Sequence, residues 1–177
     1  ELADALPDTT FLSPDAPFPC DMAPYGRQWF SLQSRAEEDL QAGVQAVAPL
    51  LNAYIDDILA RFSLPIGKLA LVGFSQGTMT SLYTALRRND AVACIVGFSG
   101  AMVAAARLPR EVQSKPPVCL IHGDADPVVP FDAMEIAERS LNAAGVPVES
   151  HRRPGLTHGI DAEGLDIARN FLQKHLL

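Results

Sequence analysis

Gly73-Phe74-Ser75-Gln76-Gly77 places one serine between two glycines, each two residues away. A serine hydroxyl attacks a carbonyl only when a neighbouring base removes its proton and the attack line is open. The surroundings suit that chemistry. Lys68-Leu69-Ala70-Leu71-Val72 is a short apolar run with strand character, and Thr78 to Arg88 reads as a helix. Strand, tight turn and helix together form a nucleophile elbow, which stands the hydroxyl clear of the sheet. Gly73 and Gly77 are expected to let strand and helix approach closely. The helix N-terminus aims backbone N–H groups at the place where an oxyanion would form. The alternative is an ordinary Gly-rich turn between a strand and a helix.

A nucleophilic serine needs a base and an acid, and the usual order after such an elbow is acid, then histidine. His122-Gly123-Asp124-Ala125-Asp126-Pro127 follows an apolar run, and Pro154-Gly155-Leu156-Thr157-His158-Gly159 follows the next. Loops after strands are where α/β sheets build their sites. His122 ends a strand and reads as structural. His151 lies within a strand, and His175 sits in a last helical turn, where a cation suits the dipole. His158, flanked by Gly155 and Gly159, is free to reach Ser75 and is the expected base. Asp126 is the expected acid and Asp124 a turn stabiliser. The Asp-x-Asp spacing fails as a calcium loop at Pro127. Gly97-Phe98-Ser99-Gly100-Ala101 is a competing serine turn, weaker because Ala101 stands where the second glycine belongs.

The elements that must position these residues alternate. Strands are expected at 9–13, 68–73, 91–98, 118–121 and 147–152. Helices are expected at the tail ending near Leu6, at 35–62 with a Ser34 cap and a kink or break at Pro49, and at 77–88, 132–144 and 160–176. Residues 14–34, with four prolines and Gly26, read as an irregular loop carrying Trp29 and Phe30, either a core plug or a pocket wall. Alternating strands and helices, with wholly apolar strands, mean an α/β fold with a mostly parallel sheet covered by helices on both faces. With 177 residues, 48% of them apolar, one domain with its own core is expected. A net charge of −7 without a basic run argues against nucleic acid and anionic lipid as partners. No apolar run is long enough for a membrane span. Cys20, Cys94 and Cys119 show no metal-binding spacing, so no metal is expected and a reduced, cytoplasmic setting is the default.

Pro14-Asp15-Ala16-Pro17, Trp29-Phe30, the Ser75 pentapeptide, Phe98-Ser99-Gly100, His122 to Pro130 and His158-Gly159 together resemble the phospholipase/carboxylesterase family. That family includes bacterial carboxylesterases and acyl-protein thioesterases. The resemblance implies the α/β-hydrolase fold, Ser75, Asp126 and His158 as a triad, a structural turn at Ser99, and an esterase without metal or cofactor. It also implies strands before Glu1, one of them ending in a His-Gly loop that gives a second oxyanion N–H. Residues 1–177 are therefore expected to be a single α/β-hydrolase domain lacking its N-terminal strands, the C-terminal part of a longer chain.

The expected reaction is acyl transfer. Ser75 attacks, His158 takes its proton, Asp126 orients the imidazole, and the Gln76 backbone N–H receives the oxyanion. The interval from Ser99 to Pro117 is too short for a helical cap that buries its own core. An open cleft walled by Trp29, Phe74 and Leu108 is expected, taking short- to medium-chain carboxylic esters. Thioesters of acylated proteins and lysophospholipids are the alternative substrates. A catalytically silent binding protein of the same fold is the non-enzyme alternative. The oligomeric state is open, a homodimer included.

Overall fold

The computed structural model describes residues 2–176. Its centre is a parallel sheet of β3 (Ala70–Phe74), β4 (Cys94–Phe98), β5 (Val118–Gly123) and β6 (Val148–Arg153), in that spatial order. Gly73 pairs with Gly97 and Gly123 with Arg153. The strand-end loops that carry Ser75, Ser99, Asp126 and His158 therefore gather at one edge of the sheet, beyond its C-terminal ends.

The strands alternate their side chains between two covered faces. Cys94, Val96 and Phe98 of β4, with Cys119 and Ile121 of β5, pack on Ala168, Phe171 and Leu172 of α6 (Ala162–Leu176). Ile95, Val118 and Leu120 face the other way, onto Leu82 and Leu86 at the end of α3 (Gln76–Ala85) and onto Met134 and Leu141 of α5 (Asp132–Ala143). Every residue of β4 and β5 is buried, which explains their unbroken apolar runs. Each such side chain contributes about 1.5–3 kcal/mol when fully withdrawn from water. Cys94 and Cys119 act as small hydrophobes there, and burial pushes both thiols up to about 12. All three cysteines are free.

Further out, α2 (Glu37–Phe62) lies on α3 through Val44, Val47, Met79 and Tyr83. It is one continuous helix rather than two abutting ones. Pro49 lies on its exposed side, where water can satisfy the carbonyl that Pro leaves unpaired. The helix starts at Glu37 after Ala36. Ser34 Oγ accepts the Ala36 N–H from outside the helix instead of capping it.

Two other expectations fail. Thr9 to Ser13 is not a strand. It runs without a sheet partner along a groove of about 580 Å³, across from β3. The outer edge of β3 carries no partner strand among the described residues, and Val72 and Phe74 are exposed on it. The 14–34 segment is not wholly irregular: β1 (Phe18–Pro19) and β2 (Arg27–Gln28) form a short antiparallel ribbon, pinned where Arg27 donates to the carbonyls of Ala16 and Pro17. A four-residue helix, α1 (Leu2–Ala5), precedes Leu6, which is buried against α6; Glu1 lies outside the described residues. Between β4 and β5 there is only a turn of 3₁₀-helix and α4 (Leu108–Glu111), with no inserted cap.

Candidate active site

Ser75 sits between β3 and α3 with φ 54° and ψ −115°, a region that non-glycine residues seldom occupy. Two bonds hold the turn in that state: the Ser75 N–H donates to the Phe98 carbonyl over 2.9 Å, and Thr78 Oγ1 donates to the same oxygen over 2.9 Å. Gly73 is sterically required, because a Cβ there would lie 2.4 Å from the Thr78 backbone nitrogen. Gly77 is not, contrary to expectation, since a Cβ there would meet nothing within 4 Å. Strand and helix close on each other at Gly73 alone, and the second glycine of the pentapeptide faces open space beside the β3 edge. Gln76 is the first residue of α3, so its N–H has no acceptor inside the helix and points out at the N-terminal end.

Asp126 sits in the loop after β5 with its carboxylate buried. One oxygen, Oδ1, accepts the N–H groups of Val128 and Val129 at 2.8 and 2.9 Å. The other, Oδ2, lies 2.7 Å from His158 Nδ1. Burial alone would raise this carboxyl. The bond from His158, the two backbone donors and the attraction of a His158 cation outweigh that, and the pKa falls below the ordinary aspartate value. His158 thus donates from Nδ1 and keeps Nε2 as its basic atom. Its ring lies 4.8 Å, centroid to centroid, from that of Phe74, the residue before Ser75. That contact brings the Asp126–His158 pair to the elbow. Among the described residues Ser75 Oγ makes no hydrogen bond.

The other candidates have different work. Asp124 accepts the Gly155 N–H at 2.6 Å and pairs with Arg152, whose guanidinium holds its carboxyl below the usual range. It ties the Asp126 loop to the His158 loop. His122 is buried and bonds through Nε2 to the Val129 carbonyl at 2.9 Å, supporting the turn that cradles Asp126. Ser99, with φ 45°, is buried and donates to the Gly159 carbonyl at 3.4 Å, so its hydroxyl anchors the His158 loop. His151 and His175 lie on β6 and α6, and the His175 ring packs on Phe171.

Arg153 was invisible to sequence reasoning. It ends β6, is buried, and pairs with Asp161 at 3.0 Å and with Glu163. Asp161 also accepts the Gly164 N–H at 2.8 Å and so caps α6. The span 153–161 is closed by this pair with His158 inside it. Gly123 lets that loop fold down, since a Cβ there would lie 2.1 Å from the Leu156 carbonyl oxygen. No motif marks Arg153, whereas the Asp-x-Asp spacing did draw attention to Asp124.

The three expected pocket residues lie in different surroundings. Phe74 is exposed and its ring packs on His158, and Trp29, half-buried, lines with it the groove between residues 9–13 and β3. Leu108 does not line it: the side chain is fully buried in the core with Leu82, Leu86 and Met134. The chain turns into α4 at that point, which points the leucine inward. Phe30 is a core plug against α2, and Trp29 beside it packs partly buried on the same cluster.

The sequence profile of the phospholipase/carboxylesterase family matches residues 2–176. The chain belongs to that family. Among its relatives is an esterase, YpfH, of Escherichia coli strain K12, 30% identical over 150 residues, which are 85% of this chain and 63% of YpfH. The chain therefore spans less than two thirds of that protein's length. An acyl-protein thioesterase 1 of Neurospora crassa is 26% identical over 97% of this chain and 76% of its own. Among solved structures, esterase PE8 superposes with a TM-score of 0.93 at 41% identity, over 98% of this chain and 81% of PE8.

Proposed function

We propose that this domain is a serine esterase that hydrolyses carboxylic esters through an acyl-enzyme on Ser75. The observation that carries the reading is the buried Asp126–His158 pair, with 2.7 Å between Oδ2 and Nδ1, set against the strained turn that presents Ser75. Asp126 accepts from Nδ1–H, so Nε2 is free to take the Ser75 proton as Oγ attacks the carbonyl carbon. The carbonyl π pair moves to oxygen, where the Gln76 N–H donates to it. Collapse of the tetrahedral intermediate expels the alcohol, which receives the proton from Nε2–H. Water, giving its proton to Nε2, then attacks the acyl-serine and releases the carboxylic acid.

The absence of a cap between β4 and β5 supports water-soluble esters of short to medium acyl length, and Phe74, packed on His158, stands beside the reacting serine. The thioesterases among its relatives support thioesters as a second substrate class. Three unbridged thiols suit a reducing, cytoplasmic setting. A fluorophosphonate probe should label the protein and fail to label Ser75→Ala. Turnover of p-nitrophenyl esters should fall with long chains and show no jump at the onset of micelles. Absence of labelling with an intact fold would favour a silent binding protein. A sharp rise at micelle formation would refute the open cleft.

A further inference from the structure

We propose that the Gln76 side chain is a positioning group that clamps the Trp29 wall to the nucleophile turn and thereby sets acyl-chain selectivity. The proposal rests on the esterase reading of Ser75. The Gln76 backbone N–H serves the oxyanion in that reading; its side chain is engaged elsewhere. Oε1 accepts the Trp29 N–H at 3.1 Å and Nε2 donates to the Phe30 carbonyl at 2.6 Å. Both ends of one amide are thus matched to a donor and an acceptor on consecutive residues, across 46 and 47 positions of sequence. These two backbone groups lie just past the end of β2 at Gln28, where the ribbon supplies no further partner. Without Gln76 they would be left unpaired in a half-buried place.

The clamp joins two differently anchored parts. Phe30 fixes the loop to α2, where it fills the space above Gly43: a Cβ on that glycine would lie 2.8 Å from the Phe30 Cβ. That contact leaves the loop's distance from Ser75 unset. Gln76 sets it, because its own backbone is held at the head of α3, where Thr80 Oγ1 donates to its carbonyl at 2.9 Å. The indole of Trp29 is carried by the clamped residue itself and shares the groove with Phe74. Gln76 directly follows Ser75, so an acyl chain that leaves Ser75 on the Phe74 side would meet a wall whose position depends on one side-chain amide. An acetyl group is too short to need it.

The test uses Gln76→Met, which keeps the side-chain length and the backbone N–H and removes both bonds. Trp29 is the only tryptophan in the sequence, so its fluorescence reports the loop directly. Emission should shift to the red and acrylamide quenching should increase, with the far-ultraviolet circular dichroism unchanged. KM for p-nitrophenyl hexanoate should rise about 5–30-fold, the scale of losing two neutral hydrogen bonds. Any loss through the Gln76 N–H falls on both esters alike, so the readout is the hexanoate-to-acetate ratio of kcat/KM, which should fall. In a Trp29→Ala background the substitution should add less than about twofold to the hexanoate-to-acetate ratio, since the two act through one wall. Should Gln76→Met not fold, Gln76→Glu keeps the acceptor for Trp29 and loses the donor to Phe30, and should change quenching and KM in the same direction. Unchanged quenching with an unchanged hexanoate-to-acetate ratio would overturn the clamp. So would an equal fall in kcat/KM on both esters, which leaves the ratio unchanged. If the unaltered protein neither labels nor turns over ester, the esterase reading fails, and the fluorescence still decides the clamp.

Discussion

Replacing Asp126 by asparagine changes one atom, and the surrounding bonds dictate how that atom must lie. Oδ1 of Asp126 receives two backbone N–H groups, from Val128 and Val129. An amide NH₂ cannot sit there, because it would face two donors. The carbonyl end of the substituted side chain is therefore locked onto that turn, and the NH₂ end takes the place of Oδ2, 2.7 Å from His158 Nδ1. A donor at that position requires Nδ1 to accept, so the ring proton moves to Nε2. His158 then offers Ser75 a proton where it should take one. The shape of the site is unchanged and the base is lost. We expect kcat to fall about 10⁴-fold, or about 5 kcal/mol of transition-state stabilisation, with KM little altered. The assay is steady-state hydrolysis of p-nitrophenyl acetate at neutral pH, with circular dichroism to show that the fold persists. Asp124→Asn, which loosens Gly155 and Arg152 but leaves the His158 tautomer alone, should cost far less. A kcat for Asp126→Asn within about tenfold of the unaltered protein, or a larger loss in Asp124→Asn, would refute the assignment of the acid.

Three further outcomes follow from the same contacts. Gly73→Ala should destabilise by about 3 kcal/mol or more in thermal or denaturant unfolding, whereas Gly77→Ala should change stability little, because only Gly73 faces backbone within contact range. Asp126, Asp124 and Asp161 all titrate below the ordinary carboxylate value in the folded protein, so between the folded and unfolded pKa values the unfolded chain binds more protons; stability should be fully present above about pH 5 and decline as pH falls further, as read by melting temperature against pH. Finally, we propose that the outer edge of β3 is paired by an extended segment in the whole protein; a longer version that supplies such a strand should melt higher than residues 1–177, and equal melting would count against it.

How much could be read from the sequence depended on whether a feature needed a distant partner. The elbow was legible because strand, glycine, serine and helix are contiguous, and each constrains its neighbours. β4 and β5 were legible because burial on both faces leaves an unbroken apolar run. Thr9 to Ser13 has the composition of a strand, yet a strand exists only through a ladder partner, and β3 lies across a groove from it. Composition cannot report that gap. Leu108 fails for a related reason: an apolar residue near a site reads the same whether its helical turn points it at substrate or, as here, into the core. The Arg153–Asp161 pair and the Gln76 clamp were hidden because each is a long side chain meeting a group fixed by other elements. The proposed triad residues sit on loops whose glycines mark them. The groups that hold those loops in place are ordinary polar side chains, and their role comes entirely from the sheet register that sets β5 beside β6 and the β3 turn beside the Trp29 loop.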